Sequence, residues 1–317
     1  MHLNLDLLIR KWNQMKLPIA LVFIISPLFF NNVFALPVEV VACNQALGKG
    51  NGIAALNEVE KLLITNKNDK DALICQGRAF LLTGDYKQAL EAFNGATENS
   101  QNAFDKSVSS LLAGHAHKAL QQFDLAIMDY QQTILHATTA NNQAFIRLGH
   151  SATGDVHAQN SHLEQALTEY RIASKLAEND NERAESYEKI ALTYHHLNQH
   201  DAALEYQIKA FLMNEQVGNL DQYAHTSIEL GRYYSLTKNY VSAENVLNKI
   251  IKFAKDQGGA YFEAQGSYIL AKVKVATGDI PAAKLLIAHA KALAKTTNDQ
   301  ALDLEIDQET NGLFKNS

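Results

Sequence analysis

Apolar positions recur along the chain with the spacing of an amphipathic helix, inside a unit that repeats itself. In each of six successive segments an alanine starts an apolar run, and the intervals between these alanines are 37, 40, 37, 40 and 40 residues. A larger side chain follows each alanine after four residues, so that both positions share one helical face. The pattern predicts one helix per unit, starting near Ala89, Ala126, Ala166, Ala203, Ala243 and Ala283.

A second set of small residues predicts another helix before each of these. In five units the small residue stands twelve positions before the alanine, as Gly77 does. In the third unit we assign this role to Gly149, seventeen positions before Ala166, which requires a five-residue insertion near residues 154–158. Small side chains let the two helices approach closely. A glycine and an aspartate at residues 84–85 mark the turn between them, so each unit is predicted to be a helix hairpin.

These units resemble the tetratricopeptide repeat. The clearest unit consists of Gly77, Phe80, Gly84, Asp85, Tyr86, Ala89, Phe93 and Ala96. The resemblance covers residues 70–295, and residues 36–69 keep the register of a seventh unit. The period exceeds the commonest 34 residues and the closing proline of the family is absent, which favours longer second helices. The resemblance implies an all-α, right-handed α-solenoid of six to seven helix-turn-helix repeats over residues 36–297.

Residues 298–317 are predicted to form a capping helix and a tail. Leu302 and Ile306 share one face, and acidic residues occupy the others, as the outer side of a solenoid end requires. A calcium-binding loop around residues 303–307 is the alternative. It lacks the loop glycine and the spacing of a bidentate glutamate, so we expect a cap.

The first 35 residues have the parts of an export signal. Three basic residues precede the apolar run 17–30, and Ala35 provides a small residue for cleavage after a polar break. An uncleaved anchor is the alternative, but a membrane span needs about 20 apolar residues. We therefore expect cleavage of residues 1–35 and export to the periplasm or cell envelope, with secretion also open. Membrane association would follow only from an uncleaved segment.

The two cysteines, Cys43 and Cys75, fall in the first helices of neighbouring units at similar heights. Two cysteines in an exported protein suggest a disulfide, which would hold the N-terminal unit to its single neighbour. Two buried free thiols are the alternative. Lipidation of Cys43 is a third interpretation, although the apolar core of a lipidation signal ends well upstream.

Charge and register indicate a binding face. The net charge is −6, and removal of residues 1–35 makes it −8, which argues against a general nucleic-acid binder. The resemblance implies that first helices line a concave groove, and the residue after each small residue faces into it. We expect cations and histidines of this groove to bind an acidic protein or peptide, unless they form an ordinary solvated helix face. The groove residues are Arg78, His115, Lys118, His150, His195, Arg232 and Lys272.

Enzyme and metal signatures are absent from the sequence. It has no HExxH, P-loop, GxSxG or strand-linked GxGxxG motif, so no catalysis and no cofactor are expected. His196 and His200 straddle a predicted turn, and no metal site is expected there. The favoured function is a non-catalytic protein-interaction scaffold of the cell envelope, and the alternative is a ligand- or metal-responsive sensor. Protonation of groove histidines below neutral pH is expected to tighten binding.

Overall fold

The computed structural model of the protein describes residues 36–297 and 299–314. Within these ranges the chain forms fifteen α-helices and no strand. In chain order the helices are α1 Val38–Gly48, α2 Gly52–Thr65, α3 Lys70–Thr83, α4 Tyr86–Asn99, α5 Ala103–Ala119, α6 Phe123–Thr139, α7 Gln143–Gln159, α8 Leu163–Leu176, α9 Asp180–His196, α10 His200–Val217, α11 Leu220–Leu236, α12 Tyr240–Asp256, α13 Ala260–Ala276, α14 Ile280–Thr296 and α15 Gln300–Thr310.

The predicted export signal, residues 1–35, lies outside the described residues. In the part of the chain that the structure describes, no helix combines the length and the apolar character needed to cross a membrane. Export therefore stays a prediction from the sequence.

The helices form two compact units, with residues up to 169 in unit 1 and residues from 170 in unit 2. In unit 1, consecutive helices α1 to α7 pack against each other, and the odd-numbered helices α1, α3, α5 and α7 also contact their odd-numbered neighbours. In unit 2, α9 to α15 pack in the same consecutive manner, and α11, α13 and α15 form the corresponding odd-numbered contacts. Stacked hairpins of this kind confirm the predicted all-α solenoid architecture.

The repeat register predicted from the alanines is correct. All six of these alanines are fully buried, with 0% of their surface exposed. A Cβ atom added at Gly77 would lie 2.4 Å from Cε1 of Phe93, and one added at Gly114 would lie 2.4 Å from Cε1 of Tyr130. Small residues are therefore required where the two helices of a hairpin meet, because the larger side chain of the second helix fills the space.

The hairpin of α7 and α8 corrects the sequence analysis. Helices α5 and α7 both have 17 residues, so no insertion separates the two hairpins. Gly154, which is buried and stands twelve residues before Ala166, occupies the position that we assigned to Gly149. Gly149 packs elsewhere, since its added Cβ would lie 2.6 Å from Cγ1 of Ile134.

The turn inside each described hairpin has one backbone conformation, although glycine occupies it only three times. Gly50, Gly84 and Gly278 have φ values of 72°, 89° and 87° there. The other hairpins place longer side chains in the same left-handed region, with φ between 59° and 62°, at Gln121, Ser161, Asn198 and Lys238. The packing of the two helices therefore fixes the turn even where its residue type disfavours that conformation.

The N-terminal hairpin is tied to the next one. Cys43 of α1 and Cys75 of α3 form a disulfide, with their Cα atoms 6.4 Å apart and both residues buried. This separation is within the range that a disulfide spans without backbone movement. The bridge therefore links two odd-numbered helices of unit 1.

Candidate functional site

The odd-numbered helices from α1 to α13 expose a row of side chains at one repeat position. In each helix the residue before this position is a buried cysteine, glycine or alanine, whereas the residue at the position is half-buried. We call this set the inner-face row. Its members are Asn44, Arg78, His115 and Asp155 in unit 1, and Leu192, Arg232 and Lys272 in unit 2.

Among the described residues, Arg78 is hydrogen-bonded to an amide and has no acidic partner. Its Nη1 donates a hydrogen bond to Oδ1 of Asn44 at 2.8 Å, and Asn44 Nδ2 donates to the carbonyl oxygen of Val40 at 3.0 Å. Burial lowers the pKa of the Arg78 guanidinium. Among the described residues no carboxylate forms an ion pair with Arg78, so none of them compensates its positive charge.

His115 and Asp155 surround a buried phenol. The Nδ1 atom of His115 lies 2.9 Å from the hydroxyl of Tyr130, which packs under α5. Burial, followed by the charges of Asp155 and Asp129, raises the pKa of Tyr130, so the phenol stays protonated and can share its proton with the imidazole. Lys118, predicted to line the same groove, is half-buried one turn further along α5.

His150 does not belong to the inner-face row. The corrected register gives that position to Asp155, and five residues along a helix correspond to a rotation of about 140°. The Nδ1 atom of His150 instead lies 2.7 Å from Oε2 of Glu169 on α8. His150 therefore joins the two helices of its hairpin and does not occupy the repeat position from which its role in the groove was predicted.

In unit 2 the cations of the row are neutralised by carboxylates of the same unit. Arg232 Nε lies 3.1 Å from Oε2 of Glu229, and Arg232 Nη1 lies 3.3 Å from Oε2 of Glu309. Lys272 Nζ binds the same Glu309 oxygen at 2.8 Å. Burial opposes the charge of Arg232, but Glu229 and Glu309 outweigh it and raise the pKa of the guanidinium well above its usual range.

The acidic residues of the capping helix α15 are not confined to its outer side. Leu302 and Ile306 are fully buried, as predicted. Glu305, only 5% exposed, accepts hydrogen bonds from Gln265 Nε2 at 3.2 Å and from the hydroxyl of Tyr268 at 2.5 Å. Between them, Glu305 and Glu309 contact residues of α11 and α13. The expectation that the acidic residues of this helix all face outward is therefore wrong for these two.

His195 does not supply the positive charge that the sequence analysis expected. Burial, and then the charges of His196 and Arg232, lower the pKa of His195 to about 4. Its Nδ1 lies 3.4 Å from Nδ1 of His200, so the two rings are close neighbours. Within the described ranges no group of three or more histidine, cysteine, aspartate or glutamate side chains is arranged to hold a metal ion.

Lowering the pH from 7 to 5 is expected to destabilise unit 2 through His195. Unfolded histidine titrates near pH ~6.5, whereas folded His195 titrates near 4. Between these values the unfolded chain binds the extra proton, so the stability contributed by the neutral ring is complete above about pH 6.5 and is lost as the pH falls toward 4. Thermal unfolding of wild-type protein and of His195→Gln across this range should show a smaller fall in Tm for the variant. Equal falls would contradict the assignment.

A shallow hollow of about 230 Å³ lies between α10, α11 and α12 of unit 2. Phe211 and Tyr223 form its aromatic wall, and an ion pair of 3.3 Å between Lys249 Nζ and Glu215 Oε1 lies beside it. None of its lining residues belongs to the inner-face row. They come from three helices and have no common spacing, so the sequence offered no signal for the hollow.

The comparisons with known proteins agree with the hairpin architecture. Residues 182–256 match a family model described as tetratricopeptide repeat. A STAND protein with a tetratricopeptide repeat sensor from Pyrococcus horikoshii superposes with a TM-score of 0.65 at 13% identity, over 86% of this chain and 43% of that one. A chain of the APC/C hetero-tetramer Cut9–Hcn1 superposes with a TM-score of 0.56 at 15% identity, over 87% of this chain and 49% of that one. The apo form of RapI superposes with a TM-score of 0.57 at 9% identity, over 82% of this chain and 98% of that one.

This chain thus spans about half the length of the Cut9–Hcn1 chain that it matches, 49%. No curated protein sequence matches it. At these identities the structural likenesses support the fold and do not carry the activities of those proteins to this chain.

Proposed function

This chain is a tetratricopeptide-repeat protein, and from that premise we propose that it is a non-catalytic scaffold that binds a partner polypeptide through the inner-face row of unit 1. Proteins with this fold generally mediate protein–protein interactions. Repeats stack so that each contributes equivalent side chains to an extended surface, which suits a polypeptide better than a small substrate.

The observation that carries this proposal is the separation of the row from the core. Seven equivalent positions hold half-buried side chains, and the residue immediately before each one is buried. Six of the seven are polar or charged, so they contribute little to the apolar packing of the hairpins. Among these side chains Arg78 forms no ion pair with a carboxylate of the described residues, so its charge can serve the recognition of a partner.

The partner that fits unit 1 is acidic. Arg78 and Lys118 lie on neighbouring odd-numbered helices, and Arg78 has no carboxylate partner among the described residues. Complementary charge of this kind orients a partner and accelerates its association.

The proposed place of action is the cell envelope. The sequence of residues 1–35 carries the parts of an export signal. The disulfide between Cys43 and Cys75 supports this proposal, because such bridges form and persist in oxidising compartments.

Affinity capture from an envelope extract tests the function. Wild-type protein should retain a protein that Arg78→Glu/Lys118→Glu retains about tenfold less. Lys87→Glu is the matched control, since Lys87 is exposed on α4, the second helix of the Arg78 hairpin. The double variant must keep the wild-type circular dichroism spectrum and Tm. Capture of no protein by the wild type, or equal capture by all three proteins, would overturn the proposal.

A further inference from the structure

Arg78 and Arg232 occupy the same repeat position but have opposite surroundings. Arg232 contacts Glu229, three residues earlier on its own helix, and Glu309 of the capping helix. The residue three positions before Arg78 is Cys75, which is used in the disulfide. Within the described ranges, the arrangement that neutralises the guanidinium in unit 2 therefore has no counterpart at Arg78.

A half-buried guanidinium without a counter-charge favours the binding of an anion. Partial burial removes hydration from the cation, and a carboxylate that approaches it restores the lost interaction. Asn44 uses one N–H of Arg78 and, among the described residues, forms the one hydrogen bond found for it. A guanidinium has five N–H donors in a planar fork, which matches the two oxygens of a carboxylate.

Unit 2 shows the kind of group that completes this position. Glu309 is carried by a helix, and its Oε2 bridges Arg232 at 3.3 Å and Lys272 at 2.8 Å. Lys272 follows Arg232 on the next odd-numbered helix of unit 2, as His115 follows Arg78 in unit 1. A side-chain carboxylate presented by a helix is thus already accepted at this repeat position within the same protein.

We propose that Arg78, flanked by Asn44 and His115, is the anchoring site for a glutamate or aspartate side chain of the partner polypeptide. This inference rests on the proposed function and narrows it. The partner is recognised through an internal acidic residue on a helical segment, and unit 1 contains the site. In unit 2 the equivalent cations, Arg232 and Lys272, already form ion pairs with Glu229 and Glu309.

The probe is a synthetic peptide with the sequence of residues 299–314, acetylated and amidated so that it has no terminal charges. Its binding to the full chain is measured by calorimetry at low salt. Arg78→Gln should weaken binding about tenfold or more, because it removes a charge-assisted pair. The affinity of Arg78→Lys should lie between those of the wild type and Arg78→Gln, because lysine keeps the positive charge but lacks the planar fork of N–H donors. A peptide with the Glu309→Gln change should bind the wild-type chain more weakly.

Controls separate this site from unit 2 and from general charge effects. Lys87→Gln, which removes an exposed cation from α4, should bind within about twofold of wild type. Undetectable binding to the wild type, equal affinity of Arg78→Gln and wild type, or a loss confined to Arg232→Gln would each overturn the proposal. If Arg78→Gln still captures the envelope partner while Arg78→Glu/Lys118→Glu does not, the scaffold function is supported and the proposal of an anchoring site at Arg78 is refuted.

Discussion

Breaking the bond between Cys43 and Cys75 is expected to lower the free energy of unfolding of unit 1 by about 3–4 kcal/mol. The two cysteines are 32 residues apart in sequence, and cross-links that close loops of this size restrict the unfolded chain by about that amount. The bond also ties α1 to α3, and so joins the first described hairpin to the next one. Urea unfolding of oxidised and of fully reduced wild-type protein, followed by circular dichroism, measures the difference.

The comparison of redox forms has an internal control. Reduction leaves both sulfur atoms in place, so the packing around them is nearly retained and the loss reports the cross-link. Cys43→Ala/Cys75→Ala should match the reduced protein more closely than the oxidised one and should not respond to reductant. Hydrogen exchange should show that α1 and α2 lose protection first. Equal midpoints for the oxidised and reduced proteins would refute a stabilising role.

The parts of the fold that depend on local spacing were predictable from the sequence. The six alanines share one repeat position, and each must be small because a neighbouring helix passes over it. In the hairpin of α7 and α8 the twelve-residue spacing of the other units already indicates Gly154, and the assignment to Gly149 departed from it by five residues. The packing of Gly149 against Ile134 agrees with the regular spacing.

The charge state of the candidate site was not predictable in the same way. Arg232 and Glu309 are 77 residues apart in sequence, and nothing in the repeat spacing indicates that they meet. The same holds for His195, whose lowered pKa depends on burial beside His196 and Arg232. Sequence register locates the positions that face inward. It does not report which of them are neutralised from distant helices, and that distinction separates Arg78 from Arg232 and Lys272.

Truncating Phe93 to alanine is expected to cost about 3–5 kcal/mol, a magnitude common for buried aromatic side chains. Phe93 is fully buried where α4 meets α3. Gly77→Ala alone should cost about 1–3 kcal/mol, because its new methyl group would lie 2.4 Å from Cε1 of Phe93. Chemical denaturation of the two single variants gives both values.

The double variant Gly77→Ala/Phe93→Ala makes the test specific. The methyl group on α3 enters space that the missing ring has vacated, so the combined loss should be smaller than the sum of the single losses by about 1–3 kcal/mol. Gly95→Ala on α4 is the matched control. Its Cβ would be 3.4 Å from Leu73 Cδ1, an ordinary contact, and replacing a helical glycine there should be neutral or stabilise by about 0.5–1 kcal/mol. Strictly additive losses at Gly77 and Phe93 would show that the glycine is not required by the ring, and the repeat register would then need another explanation.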